Sequence, residues 1–200
     1  MKIAMYDVNG AHELELSALV QANRCIFIDD AIDMDMARDF AQQVMYFAAV
    51  QSDVPVKVFI NSPGGMIAAG LLMYDVIQAS PVPLELYCLG WAYSMAAILF
   101  ACGRHGRYLL PHSKVMIHEP AVASEIGGKT SSIRLLAMDM AKTKDDVDDL
   151  LARHTGHSKA EIDELTKEDR YFTAQEAVDF GLADGVMDFA TMLAKRGGKR

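Results

Sequence analysis

LYCLGWAYSMAAILFACG, the stretch from Leu86 to Gly103, carries no formal charge, and its reading decides the fold. Its length reaches the lower edge of what a membrane-spanning helix needs. Glu85 and Arg104 bound it, however, and Gly90 divides it. Leu84 to Leu89, ahead of that glycine, is too short to be anything but a strand, whereas the residues from Ser94 onward have the apolarity of a buried helix. A buried strand running into a buried helix accounts for the stretch, with no membrane span. Met1 to Asp7 contains no apolar signal-peptide region, and the expected location is the cytoplasm.

On both sides of this stretch short apolar runs alternate with longer segments of helical spacing. Upstream, Arg24 to Ile28 reads as a strand, and Met34, Ala37, Phe40, Ala41, Val44, Phe47 and Ala48 recur at intervals of three and four, as one helix face does. Val56 to Ile60 is a second strand. It ends at Asn61-Ser62-Pro63-Gly64-Gly65, a turn sequence, after which Met66 to Gln78 returns to helical spacing. Downstream, Tyr108 to Leu110 and Lys114 to Ile117 read as a strand pair separated by Pro111 and His112. Ile133, Leu136, Ala137, Met140, Val147, Leu150 and Leu151 mark a long helix ending near Thr155-Gly156. Ser158-Lys159-Ala160-Glu161 and Thr173-Ala174-Gln175-Glu176 both fit the S/T-x-x-E capping box and announce two shorter helices. Leu182 to Met187 reads as a last strand. This alternation predicts an α/β fold.

The composition, 200 residues with 52% apolar and 23% charged, suits one soluble domain with a sizeable core. A net charge of −8 is spread along the chain apart from a short basic end, Lys195 to Arg200, so nucleic-acid binding through a basic surface is not expected. Cys25, Cys88 and Cys102 lie in apolar surroundings without C-x-x-C or Cys/His spacing. They read as buried thiols in a reducing compartment, with neither a disulfide framework nor a zinc site.

Two strand ends carry residues suited to chemistry. At the first, Gly64-Gly65 lacks side chains, which lets backbone N–H groups approach a substrate closely. At the second, Ser94 stands at a helix start and has two readings. As an N-cap it accepts a backbone bond worth about 1 kcal/mol; as a nucleophile it would have N–H groups and a helix dipole beside it to stabilise an oxyanion. A nucleophilic serine needs a base. Of the six histidines, His154 and His157 flank a helix end, where His154 could serve as a cation at the C-terminus. His118 differs, because it terminates the apolar run Val115-Met116-Ile117, a rigid place to hold a base, although a surface histidine at a strand exit fits equally well. Asp169, within Lys167-Glu168-Asp169-Arg170, reads locally as a solvated acid.

Taken together, FINSPGG (Phe59 to Gly65), the G-x-A-x-S-M pattern of Gly90 to Met95, LPHSKVMIHEP (Leu110 to Pro120), HTG (His154 to Gly156) and EDRYFTAQEAVDFGLAD (Glu168 to Asp184) resemble the Clp protease proteolytic subunit (ClpP) family. The resemblance covers roughly residues 24 to 187. It implies an α/β spiral of β-β-α units, shared with crotonases, with a long protruding helix for ring–ring contact. The implied organisation is a divergent segment 1–23, a serine peptidase domain 24–187, and a C-terminal helix and basic tail 188–200. It also implies Ser94 as nucleophile, His118 as general base, Asp169 as the residue orienting the imidazole, and the N–H groups of Gly65 and Met95 as the oxyanion hole. No metal or organic cofactor is implied. The implied partners are copies of the chain in two stacked heptameric rings, an AAA+ ATPase unfoldase docking on Phe59, Tyr87 and Leu89, and unfolded polypeptide as substrate.

The match has departures. Lys57 and Ala79 stand where aromatic residues are usual in the docking pockets, and an unpaired Lys in an apolar pocket would weaken docking. Trp91 and Tyr93 are larger than the residues commonly beside the nucleophile. Glu168 replaces an arginine that pairs across the ring interface. These changes motivate a second expectation, a catalytically silent ring subunit partnering an active paralogue. An α/β-hydrolase would run Ser, acid, His in chain order, which the order Ser94, His118, Asp169 does not fit.

Overall fold

The computed structural model describes residues 1–7, 10–121 and 127–194. It opens on an antiparallel hairpin, β1 (Lys2–Asp7) and β2 (Gly10–Glu15), followed by α1 (Leu16–Ala22). Strands and helices then alternate through β3 (Cys25–Ile28), α2 (Met34–Val50), β4 (Val56–Ser62), α3 (Ile67–Ala79), β5 (Leu84–Tyr93) and α4 (Met95–Ala101). The remainder comprises β6 (Arg107–Leu109), β7 (Lys114–Ile117), α5 (Thr130–Thr155), α6 (Lys159–Thr166), β8 (Arg170–Thr173), α7 (Ala174–Asp179), β9 (Gly185–Val186) and α8 (Phe189–Ala194). The expected basic tail, Lys195 to Arg200, lies outside the described residues. No helix among them is long and apolar enough to cross a membrane.

The main sheet runs β3-β4-β5-β6-β9, all parallel, with β7 also parallel to β5 and β8 antiparallel to β7. The α/β expectation holds. The uncharged stretch is a strand running into a helix, but Gly90 lies inside β5 rather than dividing strand from helix. There the β4–β5 register shifts, Asn61 Oδ1 accepts from Trp91 N at 3.2 Å, and a Cβ at residue 90 would lie 2.3 Å from that oxygen. The expected pair of strands after Gly103 is corrected: β6 pairs with Leu86 to Cys88, and β7 with Trp91 to Tyr93. One long strand therefore serves two neighbours in series. The link between them is tied to β5 itself, with Leu110 N and Ser113 Oγ both donating to Cys88 O.

Period-two alternation sorts the sheet into two faces. Ile26, Ile28, Val58, Ile60, Leu86, Cys88, Leu109 and Val115 form the core with α2, α3 and α4, and every residue of α4 is buried. On the opposite face Phe27, Phe59, Tyr87 and Tyr108 stand in register across four strands, with neighbouring ring centroids 5.0, 5.5 and 5.7 Å apart. Parallel sheets are normally covered on both faces, and α8 supplies part of the second cover. Its Met192 is fully buried against Phe59 and Tyr87, while Lys57 Nζ donates to Met192 O at 2.8 Å and Leu193 O at 3.0 Å. These bonds satisfy carbonyls that a helix leaves open at its C-terminus.

Phe59 and Tyr87, expected on a docking surface, are 4% and 0% exposed beneath α8, and Leu89 packs half-buried against the same cluster. Lys57 is paired, not stranded in an apolar pocket.

Both capping boxes form with reciprocal bonds, Ser158 with Glu161 and Thr173 with Glu176. The 26-residue α5 ends at Gly156, whose φ of 82° is the left-handed conformation that closes helices. Only Val147, Asp148 and Leu151 of α5 are buried; Ile133, Leu135, Leu136 and Met138 face solvent. Lys144 Nζ joins α5 to α6 by donating to buried Asp148 at 2.6 Å and to Asp163 at 2.5 Å.

Candidate active site

β5 delivers Ser94 to the site. Its N–H donates to Met116 O of β7 at 2.8 Å, and its backbone turns to φ 54°, ψ −125° before α4 begins. This is close to the first central position of a type II′ turn, where glycine dominates. Holding a serine there stores of order 1–3 kcal/mol of strain. The side chain makes no capping bond although Ser94 occupies the cap position; its Oγ lies 2.8 Å from His118 Nε2. Of the two readings open for this serine, capping is not what its hydroxyl does.

The glycine turn between β4 and α3 packs against this point. Gly64 has φ 93°, and a Cβ there would lie 2.7 Å from Ser94 Cβ and 3.0 Å from Met95 N. Gly65 forms an isolated bridge with Ile32, and a Cβ at residue 65 would lie 2.2 Å from Ile32 O. No side chain fits at either position. Met95 N belongs to the first turn of α4, whose amides have no partner within the helix. The Met95 side chain is buried against Gly70 of α3, where a Cβ would be 2.2 Å from Met95 Cγ. Gly64 and Met95 thus present backbone beside Ser94, while Gly65, expected as an oxyanion donor, follows Gly64 and packs against Ile32.

His118 and Asp169 approach through strand register. Ile117 pairs with Arg170 in the antiparallel β7–β8 ladder, so the next step sets His118 opposite Asp169. Their nearest atoms, His118 Nδ1 and Asp169 Oδ1, are 3.7 Å apart, longer than a hydrogen bond. Asp169 Oδ2 accepts from the Tyr171 hydroxyl at 3.4 Å. Glu119 N donates to Thr166 O at 2.8 Å, which fixes the chain just after His118. The structure therefore joins Ser94 to His118 by a hydrogen bond and sets Asp169 opposite His118 without a hydrogen bond to its imidazole.

Other candidates lie elsewhere. His154 contacts Tyr74 Oη at 3.0 Å, and burial, then the cations of Arg153 and Arg107, hold its imidazole below the ordinary value. That corrects the expectation of a cation at the helix end: the environment favours neutral imidazole. His157 stacks on Phe180 at 4.0 Å between centroids. The three thiols are free, and burial pushes Cys88 and Cys102 up to about 12, far from reactive thiolate. The sequence reading overlooked Asn61 and Tyr171; the only signal for Tyr171 was its two-residue offset from Asp169, meaningful once β8 is known to be a strand.

A parallel α/β sheet whose strand ends gather a serine, a histidine and a glycine turn defines a hydrolase-type domain. The chain belongs to the Clp protease family, whose model matches residues 9–190. It is 36% identical over 170 residues to ATP-dependent Clp protease proteolytic subunit 2 of Corynebacterium glutamicum, covering 84% of each chain. The protein of the same name from Corynebacterium diphtheriae is 35% identical over 168 residues, 84% of this chain and 83% of that one. That of Rhodococcus jostii is 35% identical over 175 residues, 87% and 89%. Membership in this family supports a role in proteolysis.

Proposed function

We propose that the chain is a serine endopeptidase subunit that hydrolyses unfolded polypeptides or short peptides inside a ring-shaped chamber. The observation that carries this is the 2.8 Å contact between His118 Nε2 and an Oγ held on strained backbone. Ser94 Oγ attacks the scissile carbonyl carbon while its proton passes to His118 Nε2, and the N–H groups of Gly65 and Met95 receive the oxyanion. Collapse breaks the C–N bond as His118 returns the proton to the leaving amine. Water then attacks the ester by the same route, releasing the acid and restoring Ser94. Asp169 holds the imidazolium through Nδ1–H once the 3.7 Å gap closes by about 1 Å. These residues and water account for every proton, with no cofactor.

Assembly and partners belong to the same proposal. Exposed Leu135 and Met138 on α5 form an apolar stripe suited to a protruding helix that joins two stacked heptameric rings. Residues 24–187 would be the peptidase domain, 1–23 an N-terminal segment and 188–200 a C-terminal helix and tail, with an AAA+ unfoldase feeding substrate in the cytoplasm.

Fluorophosphonate labelling tests the chemistry. Assembled wild-type rings should label and Ser94→Ala should not, and peptide turnover should fall by about 10⁴-fold or more in Ser94→Ala and in His118→Ala. Undiminished turnover in either variant rejects the assignment. The open His118–Asp169 distance, with Glu168 beside it, favours a second reading, a silent ring subunit. Assembled rings that do not label would establish that reading.

A further inference from the structure

Among the described residues, the sheet face opposite the core stays open where α8 does not reach. On β5, Trp91 and Tyr93 occupy it, while Ala92 between them is buried in the core. Tyr93 pairs with Met116 of β7, and Met116 with Tyr171 of β8. The alternate residues Val115 and Phe172 lie in the core. The same two-residue step leads from Met116 to His118 and from Tyr171 to Asp169, so the aromatic row and the catalytic pair share one face. Trp91 stacks on Tyr93 with centroids 5.9 Å apart and planes 27° from parallel, and Tyr93 meets Tyr171 edge-on at 5.7 Å and 89°. Trp91 is 46% exposed and Tyr171 51%. Adjacent exposed aromatics on a rigid sheet mark a contact surface rather than a stability feature.

We propose that Trp91, Tyr93 and Tyr171 form an aromatic shelf that takes an aromatic side chain of the peptide substrate and so sets cleavage preference. This rests on the peptidase reading, and it names the side chain that the site selects. One flat pair and one edge-on ring offer a further ring both geometries that aromatic contacts favour. An acidic side chain would instead meet Asp169 next to Tyr171. Continuity with Ser94 and His118 makes substrate the occupant.

Trp91 is the chain's one tryptophan, which makes its emission a reporter of the shelf. The Ser94→Ala full chain is titrated with matched unstructured peptides carrying Phe or Ala at one position, scanned along the peptide. At one position the Phe peptide should shift Trp91 emission and bind about 2- to 10-fold tighter than its Ala counterpart. In the active chain the Phe-to-Ala ratio of kcat/KM should show the same preference, fall in Trp91→Ala, and return in Trp91→Phe. Emission that no peptide moves, or equal affinity at every position, overturns the proposal. So does a Trp91→Ala chain that sediments as monomer where the wild type assembles, which would make the shelf an interface between copies. Because emission is read without turnover, these failures are distinct from failure of Ser94 to label.

Discussion

The two aromatic rows of this sheet have opposite fates on one face. In one row Phe59 and Tyr87 are buried at the centre beneath Met192 of α8, with only the edge ring Phe27 exposed, whereas in the other Trp91 and Tyr171 both stand in solvent on either side of Tyr93. Both rows arise from the same cause, large rings at alternate positions in register across strands. What separates them is distance from the C-terminal helix. The chain closes the row it can reach, and the row left open is the one beside Ser94 and His118. Covered aromatics should therefore govern stability, and open ones should govern recognition.

The largest break in that contrast is Tyr87→Ala. Tyr87 is fully buried, stacked on Phe59 and Tyr108, and donates to Glu85 at 2.7 Å. Truncation should cost about 3–5 kcal/mol, read from denaturant midpoints at unchanged slope. A loss under about 1 kcal/mol would mean that the row under α8 is not part of the folded core.

None of this burial was legible in the sequence. Phe59 and Tyr87 alternate with core residues as exposed strand positions do, and their cover comes from Met192, more than a hundred residues away and without a periodic signal of its own. What was legible is local: the strands that became β3, β4 and β5, the glycine turn after β4, both capping boxes, and a serine and a histidine at strand ends. Asp169 looked like part of a charged cluster, because only the β7–β8 register sets it opposite His118. β8 itself is four residues long, too short for alternation to stand out. The supposed pairing of β6 with β7 failed for a related reason: adjacency in sequence says nothing of a third strand long enough to take both.

Met192→Ala tests the cover rather than the row. Removing a buried methionine costs about 2 kcal/mol at the lower end of the core range, and the lower end applies because a six-residue helix can detach instead of leaving a cavity. Detachment should also expose Phe59 and Tyr87, so a hydrophobic dye should bind the variant more strongly than the wild type. Equal dye binding would show that the Met192 side chain is not what holds α8, because the Lys57 bonds go to backbone carbonyls that the substitution keeps.

Tyr87→Phe sharpens the comparison by pH. Burial, then the Glu85 carboxylate, hold the Tyr87 phenol well above its ordinary 10.0. The folded state keeps a proton that the unfolded chain releases, so this contribution is complete below about pH 10 and declines as pH rises above it. The variant should lose about 1 kcal/mol at neutral pH with the hydrogen bond, yet its stability should fall less steeply than the wild type's from pH 10 upward. Parallel alkaline curves would remove Tyr87 as the source.

The smallest expected effect is the most discriminating. Trp91 touches Tyr93 on one side and solvent on the other, so Trp91→Ala leaves no cavity and should change stability by less than about 0.5 kcal/mol. A tryptophan is the largest side chain the sheet carries, and its loss going unnoticed in a denaturation curve would be explicable only if its work lies outside folding. A loss of 2 kcal/mol or more would place Trp91 with Tyr87 as structural, and the division between a covered row for stability and an open row for recognition would fail.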